Sequence, residues 1–175
     1  METAIFGGGC FWCTEAVFNC LRGVVEIEPG YCGGQSASPT YEEVCSGESG
    51  HIEVIRIQFD SNVVSYDTLL DVFFATHDPT TPNRQGHDVG TQYQSVIFAQ
   101  NDEQQQKALH KIEALNRSGE YEQTIVTKVL PVETFWVAEK IHHAYYENYP
   151  GQGYCQIVIK PKINKTVLNF KELLK

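Results

Sequence analysis

The 175-residue chain reads as one α+β domain, a small mixed sheet with helices packed against it. Three observations point there. Short apolar runs rich in β-branched residues alternate with longer runs of helical period, the strand-like runs are few and short, and neither a linker nor an internal repeat divides the chain. The length suits one domain, and 42% hydrophobic residues supply a single core.

Taken in order, Thr3 to Phe6 is apolar and runs into Gly7-Gly8-Gly9, a strand ending in a tight turn. In CTEAVFNCL, Ala16, Val17, Cys20 and Leu21 recur at helical spacing, with Cys20 acting as a small hydrophobe. VVEIEPGYCGGQSASPTY begins extended and breaks into a Gly/Ser/Pro loop, and YEEVCSG predicts a short helical turn behind Pro39-Thr40. HIEVIRIQFD is the strongest strand, and YDTLLDVFFATHD a helix presenting Leu69, Leu70, Phe73, Phe74 and His77 on one face. PTTPNRQGHDVGTQ has no periodicity, and a long loop inside a compact domain tends to be functional. YQSVIFAQ then predicts a strand, and DEQQQKALHKIEALN an amphipathic helix with Ala108, Leu109, Ile112 and Leu115 inward. QTIVTKVLP predicts another strand, FWVAEKIHHAYYENY a helix with an aromatic face, and TVLNFKELLK a last helix at the tail.

Composition narrows the function. A net charge of −9 with scattered lysines and arginines leaves no basic stripe, so nucleic acid is not an expected partner. No apolar run is long enough to span a bilayer, and METAIFGGG lacks a basic region followed by a hydrophobic one, so neither membrane nor export is expected. Cysteines at 10, 13, 20, 32, 45 and 155 do not have the spacing of a disulfide-stapled scaffold. They read as reduced thiols of a cytoplasmic protein, with a monomer as the default state.

Cys10 stands where a glycine turn meets a helix start, and free backbone N–H groups with the positive dipole end favour a thiolate there. An ordinary thiol of pKa ~8.5 is only slightly ionised at neutral pH. With Cys13 it forms a C-x-x-C, which leaves three readings open: a redox dithiol, half of a metal site, or one nucleophile with a thiol nearby. The intervening Phe11-Trp12 suggests a pocket rather than a dithiol motif, although core packing explains large aromatics equally well. Adjacent His142 and His143 lack the i, i+4 spacing of a zinc pair, so no metal is expected.

Glu53 shares a strand face with Ile55, Ile57 and Phe59. Buried there it would hold a proton near neutrality and serve as a general acid; at the strand's edge it would simply reach water. Tyr41 and Tyr93 adjoin turns and can each donate a hydrogen bond without bringing charge, as packing tyrosines also can. Asp88, in GHDVGTQY, reads equally as a backbone cap.

The segments GCFWCTEAVF, GYCGG, PTYEEVCSGESGHIEVIRIQFD, HDPTTPNRQGHDVGTQYQS, AEKIHHAYY and QGYC resemble, in order from residue 9 to residue 155, the A-type peptide methionine sulfoxide reductases. The resemblance implies a ferredoxin-like α+β core over the whole chain. It implies Cys10 as the nucleophile attacking the sulfoxide sulfur, and Phe11 and Trp12 as the pocket for the substrate's methyl group. Glu53 would protonate the oxygen, with Tyr41 and Tyr93 as its hydrogen-bond partners and Asp88 near the substrate. The product would be methionine and a Cys10 sulfenic acid, a reversible oxidation state.

The same resemblance implies the S epimer of methionine sulfoxide, free, in peptides or in oxidised proteins, as substrate, in protein repair under oxidative stress. It implies no resident cofactor: electrons would come from an external dithiol such as thioredoxin, through an intramolecular disulfide. Cys155, in GYC, matches a recycling position, and Cys13, where many relatives have glycine, is the local competitor. His143 stands where relatives often have glutamine, with no role attached. The competing classes are a thiol-disulfide oxidoreductase using Cys10 and Cys13, and a metal-binding or redox-sensing module.

Overall fold

The structure, a computed structural model, describes residues 1–175. In chain order it contains β1 (Glu2–Gly8), α1 (Phe11–Phe18), β2 (Val24–Cys32), α2 (Tyr41–Cys45), β3 (Ile52–Phe59) and α3 (Tyr66–Ala75). A hairpin of β4 (Arg84–Gln85) and β5 (Asp88–Val89) follows, then β6 (Ser95–Ala99), α4 (Asp102–Ser118), β7 (Lys128–Pro131) and β8 (Trp136–Val137). The chain closes with α5 (Tyr145–Asn148), a π-helical turn over Cys155–Ile159, and α6 (Lys160–Asn169).

The sheet runs β7-β6-β1-β3-β2-β8. Its four inner strands, β6-β1-β3-β2, pair antiparallel, and β1-α1-β2-β3-α3-β6 is the βαββαβ path of a ferredoxin-like core. Alternation along the strands divides the core. Phe6, Ile55, Ile57 and Phe59 face α1 and α3, where they meet Phe18, Leu70 and Phe73, whereas Ile5, Ile52, Val54, Val96 and Phe98 pack on the other face. Each fully buried side chain of this size contributes roughly 1.5–3 kcal/mol. Ser65 and Asn101 cap α3 and α4 by accepting from the amides of Thr68 and Gln104 at 3.1 and 2.9 Å.

Several expectations need correction. The helix after Cys10 ends at Phe18, so Cys20 and Leu21 lie beyond it. Leu21 is nevertheless buried, because its turn is stitched to the C-terminus by a bridge to Leu174 and by the Arg22 amide donating to the Leu173 carbonyl at 2.8 Å. The strand expected in QTIVTKVLP covers only Lys128–Pro131, and Leu109 is 49% exposed because α4 meets the core along a line through Gln104 and Ala108. The loop after α3 contains the β4-β5 hairpin.

FWVAEKIHHAYYENY is not one helix. Trp136–Val137 adds β8 to the edge of β2, close over Gly30, where a Cβ would stand 2.3 Å from the Phe135 ring. Ala144 then takes a left-handed conformation, φ 51, which breaks helical continuity before α5. At the tail, the regular helix is α6, which begins before the expected span and shares only Thr166–Asn169 with it.

Candidate active site

Cys10 is the N-cap of α1, delivered by β1 through a turn at Gly9. Gly9 has φ +95, and a Cβ there would stand 2.7 Å from the Gln85 side chain, so this position requires glycine on both counts. The thiol is 6% exposed. Burial is the largest influence and pushes it well above the ordinary range, reinforced by Cys13 and by the charge of Glu53, with only the Trp12 amide acting in the other direction. Burial thus opposes the thiolate that the helix start favours.

Cys13, one turn on, behaves oppositely. Its sulfur accepts the proton that Cys10 offers, and this lowers it to about 7 against the cost of burial. The two buried thiols thus titrate as a pair, with Cys13 the more acidic side.

Glu53 lies in β3, between β1 and β2, and is 1% exposed, which excludes the edge position. Its Oε1 accepts from the Phe11 amide at 3.1 Å, and its buried Oε2 has no partner. Desolvation raises the carboxyl to about 8 despite that hydrogen bond. At neutral pH it carries a proton beside Cys10.

Phe11 is fully buried against Tyr31, Tyr41 and His142, at centroid separations of 5.7, 6.3 and 5.4 Å. Trp12 is half-buried. Its indole N–H donates to His142 Nδ1 at 3.1 Å, and its ring stacks on Tyr145 at 3.8 Å and 6°. Tyr41 and Tyr93 are half-buried, and burial together with the Glu53 charge pushes both phenols upward, so they stay neutral donors. Neither hydrogen-bonds Glu53, contrary to expectation. The carboxyl takes its one bond from the backbone, and Tyr41 turns its hydroxyl toward Cys45 instead.

A cavity of about 120 Å³ opens beside the two thiols, lined among others by Cys10, Cys13, Asp88, Tyr154 and Lys162. Asp88 sits in its wall, where its Oδ2 accepts the Tyr154 hydroxyl at 2.6 Å, and the same hydroxyl lies 3.5 Å from Cys13 Sγ. Cys155 is fully enclosed and feels the charge of Cys13 rather than that of Cys10. No three His, Cys, Asp or Glu side chains are grouped to hold a metal ion.

The structure therefore brings Cys10, Cys13, Phe11, Trp12, Tyr41, Glu53, Asp88 and Tyr93 to one place, with Cys155 behind Cys13. Sequence reasoning gave no site role to Glu15, Cys45, Tyr145, Tyr154 or Lys162, and weighed His142 only as a zinc ligand. Glu15 is buried on α1, its carboxylate meeting the amides of Ala144 and Tyr145 that lead into the Trp12 stack. The mixture of apolar and polar residues around AEKIHHAYY and QGYC could have pointed to His142, Tyr145 and Tyr154, whereas nothing local marked Glu15, Cys45 or Lys162. His143 binds the Ala138 carbonyl at 2.9 Å and so has a local structural contact.

The family model described as peptide methionine sulfoxide reductase matches residues 2–173. The chain is 53% identical over 175 residues to a protein of Acinetobacter baumannii (strain SDF) named peptide methionine sulfoxide reductase MsrA, covering 100% of this chain and 99% of that one. Reduced Mxr1 of Saccharomyces cerevisiae superposes with a TM-score of 0.81 at 30% identity over 88% of each chain. Methionine sulfoxide reductase A of Corynebacterium diphtheriae gives 0.76 at 32% identity, over 89% of this chain and 78% of that one. A βαββαβ core that sets a buried, protonated carboxyl beside a helix-capping cysteine, matched along its whole length, belongs to the peptide methionine sulfoxide reductase family.

Proposed function

We propose that the chain, working as one domain, reduces the S epimer of methionine sulfoxide, free, in peptides or in oxidised proteins, with Cys10 as nucleophile and Glu53 as proton donor. The observation that carries this reading is the unpartnered, buried Oε2 of Glu53, on a carboxyl raised to about 8, beside the Cys10 turn. A sulfoxide oxygen is a poor leaving group unless it is protonated as sulfur is attacked, and Glu53 holds that proton at neutral pH.

Cys10 attacks sulfur while Glu53 gives its proton to the oxygen, and the Cys10 proton passes to the neighbouring Cys13 sulfur. The hydroxyl ends on Cys10, leaving methionine and a sulfenic acid. Tyr41 and Tyr93, neutral phenols, donate to the developing oxyanion. The Trp12 ring, held by His142 and Tyr145, and the Phe11 behind it form the apolar surface for the methyl group. Asp88, in the cavity wall, accepts a substrate N–H.

The second thiol is Cys13. It lines the same cavity as Cys10, one turn on, and is lowered to about 7, so it is the thiol best placed to close a disulfide with Cys10. Cys155, which feels the Cys13 charge, takes the disulfide on by exchange and returns Cys10 to its free state. A thioredoxin-type dithiol of a reducing cytoplasm then supplies the electrons, and no resident cofactor enters. Thiol-disulfide exchange through Cys10 and Cys13 alone would not need Glu53 enclosed. Replacing Cys10 by Ser tests the assignment: methionine formation in a single turnover should disappear, and a surviving burst would transfer the nucleophile to another thiol.

A further inference from the structure

A buried thiol stays protonated unless something holds its charge. Cys13 is 1% exposed, so the groups facing it decide its state. The Cys10 thiol beside it favours its charge, Glu53 on β3 and Asp88 on β5 oppose a thiolate, and Cys155 in the π turn brings no positive charge. Tyr154 has a single proton, which it donates to Asp88 at 2.6 Å, so it supports Cys13 only in part. His87 lies on the exposed β4-β5 turn.

What is left is Lys162. It is the only lysine or arginine lining the cavity, it is half-buried, and none of the chain's ion pairs engages it. Tyr154, Val158 and Lys162 recur every four residues from the N-cap of the π turn into α6, and all three line the cavity beside the two thiols. The Lys162 charge also acts to lower Cys13, consistent with this placement.

We propose that Lys162 is a positioning residue of the recycling half-reaction: its ammonium, set in the wall of the Cys10–Cys13 cavity, draws Cys13 toward the thiolate that attacks the Cys10 sulfenic sulfur. This rests on the assignment of Cys10 above. In the step, the Cys13 sulfur forms the S–S bond as the Cys10 S–O bond breaks. The electron pair leaves with the hydroxyl, which takes the proton Cys13 had received and departs as water. Cys13 is oxidised and the sulfenic sulfur reduced.

The test is a single turnover without external reductant, using a methionine sulfoxide peptide capped at both ends so that no substrate carboxylate can meet Lys162. Methionine formation and loss of sulfenic acid, trapped by a dione probe, are followed from pH 5.5 to 9 in the wild type, Lys162→Met and Lys162→Arg. In Lys162→Met the half-maximal pH of sulfenic-acid loss should rise by about one unit, making that loss roughly tenfold slower than wild type, relative to the methionine burst, at low pH. Lys162→Arg should restore the wild-type profile. An unchanged profile in Lys162→Met overturns the proposal, as does equal slowing of both steps in both variants, which lost packing would give. A defect confined to the KM of free methionine sulfoxide would also overturn it. Should Lys162→Met fail to fold, Lys162→Gln carries the same comparison. A wild type without a methionine burst would instead remove the Cys10 assignment.

Discussion

The amide of Phe11 donates to Oε1 of Glu53 across 42 residues of sequence, at 3.1 Å. This bond ties the buried carboxyl of β3 to the first turn of α1, the turn that carries Cys10. It occupies one oxygen and leaves Oε2 free, so proton donor and nucleophile are held in one frame before substrate arrives.

The two phenols flanking that frame are expected to act on the transition state. Tyr41→Phe and Tyr93→Phe should each slow single-turnover methionine formation by roughly tenfold to a hundredfold, and the double variant by more than either. Undiminished rates in the double variant would make both tyrosines packing residues.

The Trp12 indole depends on an unprotonated His142 Nδ1. Burial lowers His142 below its ordinary value, so the bond is intact at neutral pH and is lost as pH falls through that lowered value. In a Trp136→Phe background, Trp12 emission should therefore shift between pH 7 and pH 4, and His142→Gln should remove the shift. The same replacement should raise KM about fivefold, the equivalent of one hydrogen bond. An identical emission titration in His142→Gln would contradict the pairing.

Glu15 links α1 to the Tyr145 turn, and burial pushes it up to about 7 from an ordinary 4.5. A carboxyl raised on folding binds its proton more tightly in the native state, so its contribution is greatest below pH 4.5 and is lost as pH rises through 7. Urea unfolding should show the wild type losing on the order of 1–3 kcal/mol more than Glu15→Gln between pH 5 and pH 8. Parallel pH dependences would rule Glu15 out as the titrating group.

These features differ in how far they can be read from the chain. Strand alternation put Glu53 on the face of Ile55 and Ile57, and the glycine turn put Cys10 at a helix start, because both depend on neighbours in sequence. Burial of Glu53 and the rise of Cys10 depend on β1, β2 and the C-terminal segment closing around them, which no local period encodes. FWVAEKIHHAYYENY failed as a single helix for the same reason: β8 answers to β2, and Ala144 to Glu15, each more than a hundred residues away. The enzyme class was legible because its motifs are long; Lys162 was not, since its partners meet it only in the fold.

Recycling separates the two remaining thiols. Cys13→Ser should release one methionine per chain and accumulate sulfenic acid, whereas Cys155→Ser should still form a Cys10–Cys13 disulfide and slow only under steady thioredoxin-driven turnover. Peptide mass spectrometry after one turnover reads both. A Cys10–Cys155 disulfide formed at the wild-type rate in Cys13→Ser would reverse the order.

The most direct measurement is the pH profile of single-turnover methionine formation in Glu53→Gln. With the carboxyl raised to about 8, the wild-type rate should fall as pH rises through that value and Glu53 loses its proton. Glu53→Gln should be slower by about a hundredfold to ten-thousandfold and should lack that descending limb. A variant that keeps the wild-type rate, or keeps a limb near pH 8, would show that the proton reaching the sulfoxide oxygen does not come from Glu53.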